Sequence, residues 1–287
     1  MQTLELPNEL DFGITCESTG VEGQKLLRNS NTNTPIWYVG KSLAQGVVSH
    51  PEFYSKSYKT VQEDIPEEYQ KDSWYEFRSA NGGTWSTMTI HFPSIKADIN
   101  TNSPQGHDTT VYLRGILTHG LIGNLSNAFY WGLIDMFCTN GWIMGDWKSV
   151  KKKNTSGFRI LNFNDLCREV KVDFFKETDR LQAWSKTLVQ DFNVKEAFEK
   201  IMSEKKAENM YLLYLQEAGV RGRNMFAVQS ALTNFATYAD ERNGFKLRNT
   251  QHMQDTQDRS MWSRQLEVNK WMSSGPIQAL AGSGIQV

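Results

Sequence analysis

The residues best suited to chemistry lie in 138–159, CTNGWIMGDWKSVKKKNTSGFR. Two indoles, Trp142 and Trp147, flank a turn and lead into Lys148, Lys151, Lys152 and Lys153, with Arg159 close behind. Rings beside clustered cations are what a single-strand groove uses, because bases stack on flat aromatic faces while ammonium groups follow phosphates. The plainer alternative is an indole that completes a core and lysines that keep a hairpin edge soluble. A second basic pair, Arg221 and Arg223, falls in GVRGRN between two expected helices. A loop arginine flanked by glycine reaches a phosphate with both arms of its guanidinium. It serves equally to cap the carbonyls of the helix before it. These nine residues are the expected nucleic-acid-binding set. Arg242, Lys246 and Arg248 continue the positive trend, diluted by Asp240, Glu241, Asp255 and Asp258.

Signatures of catalysis are missing. His50, His91, His107, His119 and His252 are scattered, with no H-x-x-x-H or H-E-x-x-H spacing that would gather zinc ligands. His91 falls in an expected strand and reads as structural. No G-x-S-x-G elbow and no Walker loop occurs, and Gly106, Gly115, Gly120 and Gly123 do not form G-x-G-x-x-G. Glu204-Lys205-Lys206 is the nearest approach to a nuclease's carboxylates and lysine, but a charge run between helices normally faces solvent. Cys138 beside Met136 and Phe137 reads as an inert buried thiol. The expectation is a protein with no catalytic residues, no metal and no cofactor, hence a binder and not an enzyme.

Composition narrows the class. The chain has 287 residues, 39% hydrophobic and 22% charged, which is enough for one large globular domain or two modest ones. Its net charge of −1 gives no global pull on nucleic acid, so binding needs a local patch. Charge is indeed uneven, acidic over 63–76 and basic over 148–171. Cys16, Cys138 and Cys167 form no C-x-x-C, as for reduced thiols in a cytosol. MQTLELPNELDF lacks a signal peptide's basic start and apolar run, and no stretch approaches the roughly 20 apolar residues of a membrane span. A cytoplasmic, membrane-free protein is expected.

The elements that must position these residues divide by half. Residues 1–35 read as an extended arm with little core, and 36–160 as a mixed β/α domain. Residues 161–275 read as a helical region packed on that domain, and 276–287 as a flexible tail. In 36–61 short apolar runs are broken by glycine and proline. WYEFRSA and TWSTMTIHF flank Asn81-Gly82-Gly83, residues that accept the positive φ of a hairpin turn. In the second arm Trp85, Thr87, Thr89 and His91 share one face, and Met88, Ile90 and Phe92 the other. TVYLRGILTHG gives a third strand. Asn124 is a good N-cap, so LSNAFYWGLIDMFCT reads as a helix ending at Asn140-Gly141. Residues 142–161 return to an extended hairpin. Helices then follow at 165–189, after a capping box at Asn193 and Glu196, at 205–218 stopped near Gly219, at 224–241, and at 257–273. Strands first and helices later argue for an α+β fold, with a β-β-β-α unit in the first half and a helical second half.

VYLRGILTHG and FCTNGWIMGDWKSVKKKNTSGF resemble a phage- and plasmid-borne family of unknown function that carries a C-x-N-G signature. Here the signature is Cys138, Asn140 and Gly141, and the basic strand after it is Val150 through Gly157, with Asn154 in place of the family's histidine. SHPEFYSKSYKTVQ and NMYLLYLQEAGVRGRN resemble other segments of that family. The resemblance implies a phage or mobile-element setting and no particular activity. The order of the three strands and the helix is similar to Sak-type single-strand annealing proteins. Two functions are expected from all this. One is single-stranded DNA binding for annealing, recombination or protection, by a homo-oligomer. The other is binding and inhibition of a host protein complex, an anti-defence role that suits the near-neutral charge and the acidic 63–76 segment.

Overall fold

A computed structural model describes residues 4–40, 47–80, 82–101, 108–121, 126–136, 140–144, 149–153, 170–240, 246–247 and 254–282. The fold is α+β, with strands concentrated in the first half and helices in the second. Two compact units partition the chain. One comprises Met1–Ser94, Arg114–Trp131 and Lys148–Val170, the other Ile95–Leu113, Gly132–Trp147 and Lys171–Val287. This division falls elsewhere than the sequence-based boundaries.

In the first unit, β1 (Ile14–Ser18), β2 (Gln24–Asn29) and β3 (Pro35–Gly40) form an antiparallel sheet in that order. The expected arm over 1–35 is therefore corrected: it carries two strands and buries Leu10, Phe12, Leu26 and Leu27. A helix, α1 (His50–Asp64), replaces the expected broken runs. Pro51 sits in its first turn, where no amide is needed, and the Ser49 side chain caps it by accepting from Glu52 N at 3.4 Å. Phe53, Tyr54, Tyr58 and Val61 supply its buried stripe. A single turn, α2 (Glu67–Gln70), leads to the main sheet.

That sheet has the order β4-β5-β6-β7-β8, with β9 also on β7. Strands β4 (Trp74–Ala80) and β5 (Trp85–Ile99) form the expected hairpin, and Gly82 and Gly83 take φ of 63° and 80° at its turn. The next strands are β6 (Thr109–Gly120), β7 (Ser126–Asp135), β8 (Gly141–Ile143) and β9 (Ser149–Lys153). Strand β7 overturns the helix expected over 125–139, and with it the helix of the β-β-β-α unit. Residues 127–133 are buried on both faces, and a continuous apolar run does not distinguish strand from helix by period. Pairing on both sides settles the matter. Nor do β8 and β9 form a hairpin with each other: β8 pairs with Gly132–Ile134 and β9 with Ser126–Tyr130, both antiparallel.

One face of the first unit's sheet meets α1 through Ser86 and His119, and Phe92, Trp131 and Phe129 pack against one another within the sheet. Gly115 is required there. A Cβ at that position would lie 3.0 Å from Trp131 Cζ3 and 3.2 Å from Phe129 Cε2. Gly115→Ala is expected to cost about 1–3 kcal/mol through overpacking, read as a lower urea midpoint at unchanged slope.

Helices dominate the second unit: α3 (Val170–Lys186), α4 (Asp191–Ile201), α5 (Glu204–Arg221), α6 (Met225–Tyr238), α7 (Gln254–Met272) and α8 (Gly275–Gly282). Nearly every residue of α6 is buried, and Val194, Phe198, Met210, Tyr214 and Val268 pack in the same core. Three local expectations are corrected. Helix α4 is capped at Gln190, so Asn193 and Glu196 lie inside it and form no capping box. Helix α5 runs past Gly219 and stops at Gly222, whose φ of 83° disfavours any side chain. The expected flexible tail begins as α8, with Ile277 and Leu280 buried.

Candidate nucleic-acid interface

Two of the nine expected contact residues are interior. Trp142 lies in β8 at 2% exposure and offers no face to a base. Arg221, the last residue of α5, is 1% exposed. Its Nη2 donates to Asp135 Oδ2 at 2.7 Å and its Nε to Glu217 Oε2 at 2.9 Å. Thr109 Oγ1 donates to the other Asp135 oxygen at 2.6 Å, and Asn234 Nδ2 to the other Glu217 oxygen at 3.1 Å. This is a satisfied internal ion cluster, so both residues leave the set of surface contacts. Arg223 is accessible, but its Nε bridges both carboxylate oxygens of Asp191 at 2.9 and 3.1 Å. A phosphate would have to displace that carboxylate. Trp147, Lys148 and Arg159 lie outside the described residues.

Lys151, Lys152 and Lys153 occupy consecutive positions of β9, opposite Ala128, Asn127 and Ser126. Among the described residues β9 pairs with β7 alone, so it is an edge of the sheet.

A second group, not anticipated as a site, lies at the opposite edge. The antiparallel register sets Trp74 across from His91, Glu76 from Thr89, and Arg78 from Thr87. All six belong to the face away from α1. Trp74 remains 46% exposed, although its indole stacks on the His91 ring at 3.8 Å and 7° between planes. Glu76 Oε1 stands 3.8 Å from both His91 Nε2 and Arg78 Nη2. Burial holds His91 below its ordinary value, so the ring is neutral at pH 7. The His91 nitrogen, ahead of the Arg78 and Arg114 charges, holds Glu76 below the usual carboxylate range. Thr87 Oγ1 is buried with no hydrogen-bond partner among the described residues. The hairpin itself was visible in the chain, but counting outward from Asn81-Gly82-Gly83 pairs 74 with 90; the observed register sets Ala80 against Trp85, leaves Thr84 in the turn and brings 74 opposite 91.

A third cluster has the distances of a catalytic dyad but no access. Ser86 Oγ lies 2.9 Å from His50 Nδ1, and Tyr54 Oη 2.9 Å from Ser86 Oγ. His50 Nε2 is 2.7 Å from the Gly83 carbonyl, and His119 Nδ1 is 2.7 Å from His50 Nδ1. His119 also donates to the Val48 carbonyl. All four side chains have zero exposure, so no substrate reaches the serine. The cluster ties α1 to β5 and β6. Burial lowers His50 to about 4 and puts His119 well below its ordinary value. Both are neutral in the folded protein at pH 7, whereas in the unfolded chain they protonate near 6.5. The unfolded state thus binds more protons as pH falls from about 6.5 toward 4, and stability drops across that window. Unfolding free energies from urea titrations at pH 7 and pH 4.5 are expected to differ by on the order of 2–3 kcal/mol in wild type and by less in His119→Gln.

Among the described residues no helix is long and apolar enough to cross a membrane, and no group of three or more His, Cys, Asp or Glu is placed to hold a metal ion. No family model matches the chain, and neither curated proteins nor solved structures yield a significant match.

Proposed function

We propose that this chain binds single-stranded DNA without changing it chemically. The observation that carries the reading is the placement of Lys151, Lys152 and Lys153 on an edge strand. Alternate positions on a strand are about 6.6 Å apart, so the first and third cations can meet successive phosphates of an extended strand. Lysines on an edge strand also discourage sheet-to-sheet aggregation, which would account for them without DNA. A binding comparison separates the two. A labelled single strand is expected to bind at least about tenfold more tightly than a duplex of the same sequence and salt, because only the single strand presents base faces. Equal affinity, or preference for duplex, would contradict the proposal. The mobile-element and cytoplasmic setting and the homo-oligomeric state belong to the same proposal. The setting is supported by the resemblance of residues 111–157.

Inhibition of a host protein complex is the second reading. It is favoured by large apolar side chains exposed on the second unit's helices, among them Val172, Phe175, Phe192 and Leu212. It expects one host protein to co-purify stoichiometrically and to be lost in Phe192→Glu, with the lysine changes having no effect.

A further inference from the structure

We infer that the Trp74–His91 pair is a stacking platform for one unpaired nucleobase, with Arg78 receiving a phosphate of a neighbouring nucleotide. This inference rests on the single-strand reading and adds a site to it that the lysine segment does not contain.

The geometry supplies the parts such a subsite needs. Trp74 has one ring face against His91 at 3.8 Å, in near-parallel stacking, yet keeps 46% of its surface exposed. The outward face of the indole is what remains for a partner. Stacking on His91 also fixes the ring, so little rotamer freedom is left to lose when a base arrives. Two residues along the same face of β4 lies Glu76, and two further Arg78. Two such steps put the Arg78 Cα about 13 Å from that of Trp74. Glu76 cannot welcome a phosphate. It can accept from a base's exocyclic amine, and Arg78 offsets its charge from 3.8 Å. Directly across from Arg78, Thr87 Oγ1 is buried without a hydrogen-bond partner among the described residues. An aromatic shelf with a carboxylate and a cation further along one strand fits a nucleotide better than an apolar peptide, which carries no charge to meet either.

The discriminating experiment compares a single strand bearing bases with an abasic strand of equal length and charge. Wild type is expected to prefer the base-bearing strand by about tenfold, since the bases are the only difference between the probes and stacking is their main contribution. Trp74→Ala should lose most of that preference while its affinity for the abasic strand and its salt dependence stay unchanged. Trp74→Phe should retain part of the preference, which guards against a folding defect in the alanine variant, and thermal unfolding of both variants completes that control. Arg78→Gln should weaken both probes equally. If wild type binds both strands equally, or if Trp74→Ala keeps the full preference, the platform is wrong although DNA binding stands. If wild type binds neither strand, the functional reading fails and the platform with it.

Discussion

Arg221→Met is expected to lower the stability of the protein by about 3–5 kcal/mol, the largest loss from any single change at the expected contact residues. The guanidinium is the shared partner of two carboxylates, Asp135 and Glu217, at 2.7 and 2.9 Å in a nearly water-free setting. Removing it leaves two negative charges buried together, and neither Thr109 nor Asn234 can neutralise them. Replacing Arg221 and Asp135 together, by Met and Leu, should recover part of the loss, because apolar side chains in place of an ion pair remove the desolvation penalty along with the attraction. Urea unfolding followed by two optical probes measures both variants. A loss below about 1 kcal/mol in Arg221→Met, the range of exposed ion pairs, would contradict the buried-cluster assignment. The result also matters for any binding assay. An Arg221 variant that loses DNA affinity will have done so by unfolding, whereas Arg223→Ala tests a surface contact.

The second large effect is on binding. Changing Lys151, Lys152 and Lys153 together to alanine is expected to weaken single-strand affinity by about a hundredfold or more at low salt. The slope of log affinity against log salt should become shallower by about 1.4, since two of the lysines meet successive phosphates and each contact on a single strand contributes about 0.7. The unfolding midpoint should hold, because the β7–β9 ladder is made of backbone hydrogen bonds that alanine preserves. Unchanged affinity in the triple variant would remove the edge strand from any role in DNA binding.

What could be read in the chain beforehand depended on how local its cause was. The β4–β5 hairpin was legible because Asn81-Gly82-Gly83 supplies positive φ and the arms alternate. The late helices were legible because Val170, Phe174 and Leu181 keep a helical period and are buried as that period requires. Strand β7 was not legible. Phe129, Tyr130 and Trp131 are buried on both faces of a sheet, and that burial erases the alternation a half-exposed strand would show. The Asn124 cap signal then favoured the wrong element. Helix α1 was hidden differently: His50, Ser57 and Tyr58 are buried polar residues, so its stripe looked broken in the sequence. For the site, lysine clustering was readable as charge, but its position on a sheet edge was set by pairing with β7 and was not. Trp142 and Arg221 were selected by residue type, and type does not report burial. Trp74 and His91 are adjacent only through cross-strand register, which is one residue away from the pairing that Asn81-Gly82-Gly83 alone implies.

The salt dependence of single-strand binding by the wild-type protein tests the central claim most directly. Anisotropy of a labelled oligonucleotide, titrated at several salt concentrations, gives log affinity against log salt. Two lysines meeting phosphates are expected to give a slope of about −1.4 or steeper, with micromolar or tighter binding at low salt. A flat line, or no binding at the lowest salt, would contradict an electrostatic single-strand interface on this protein.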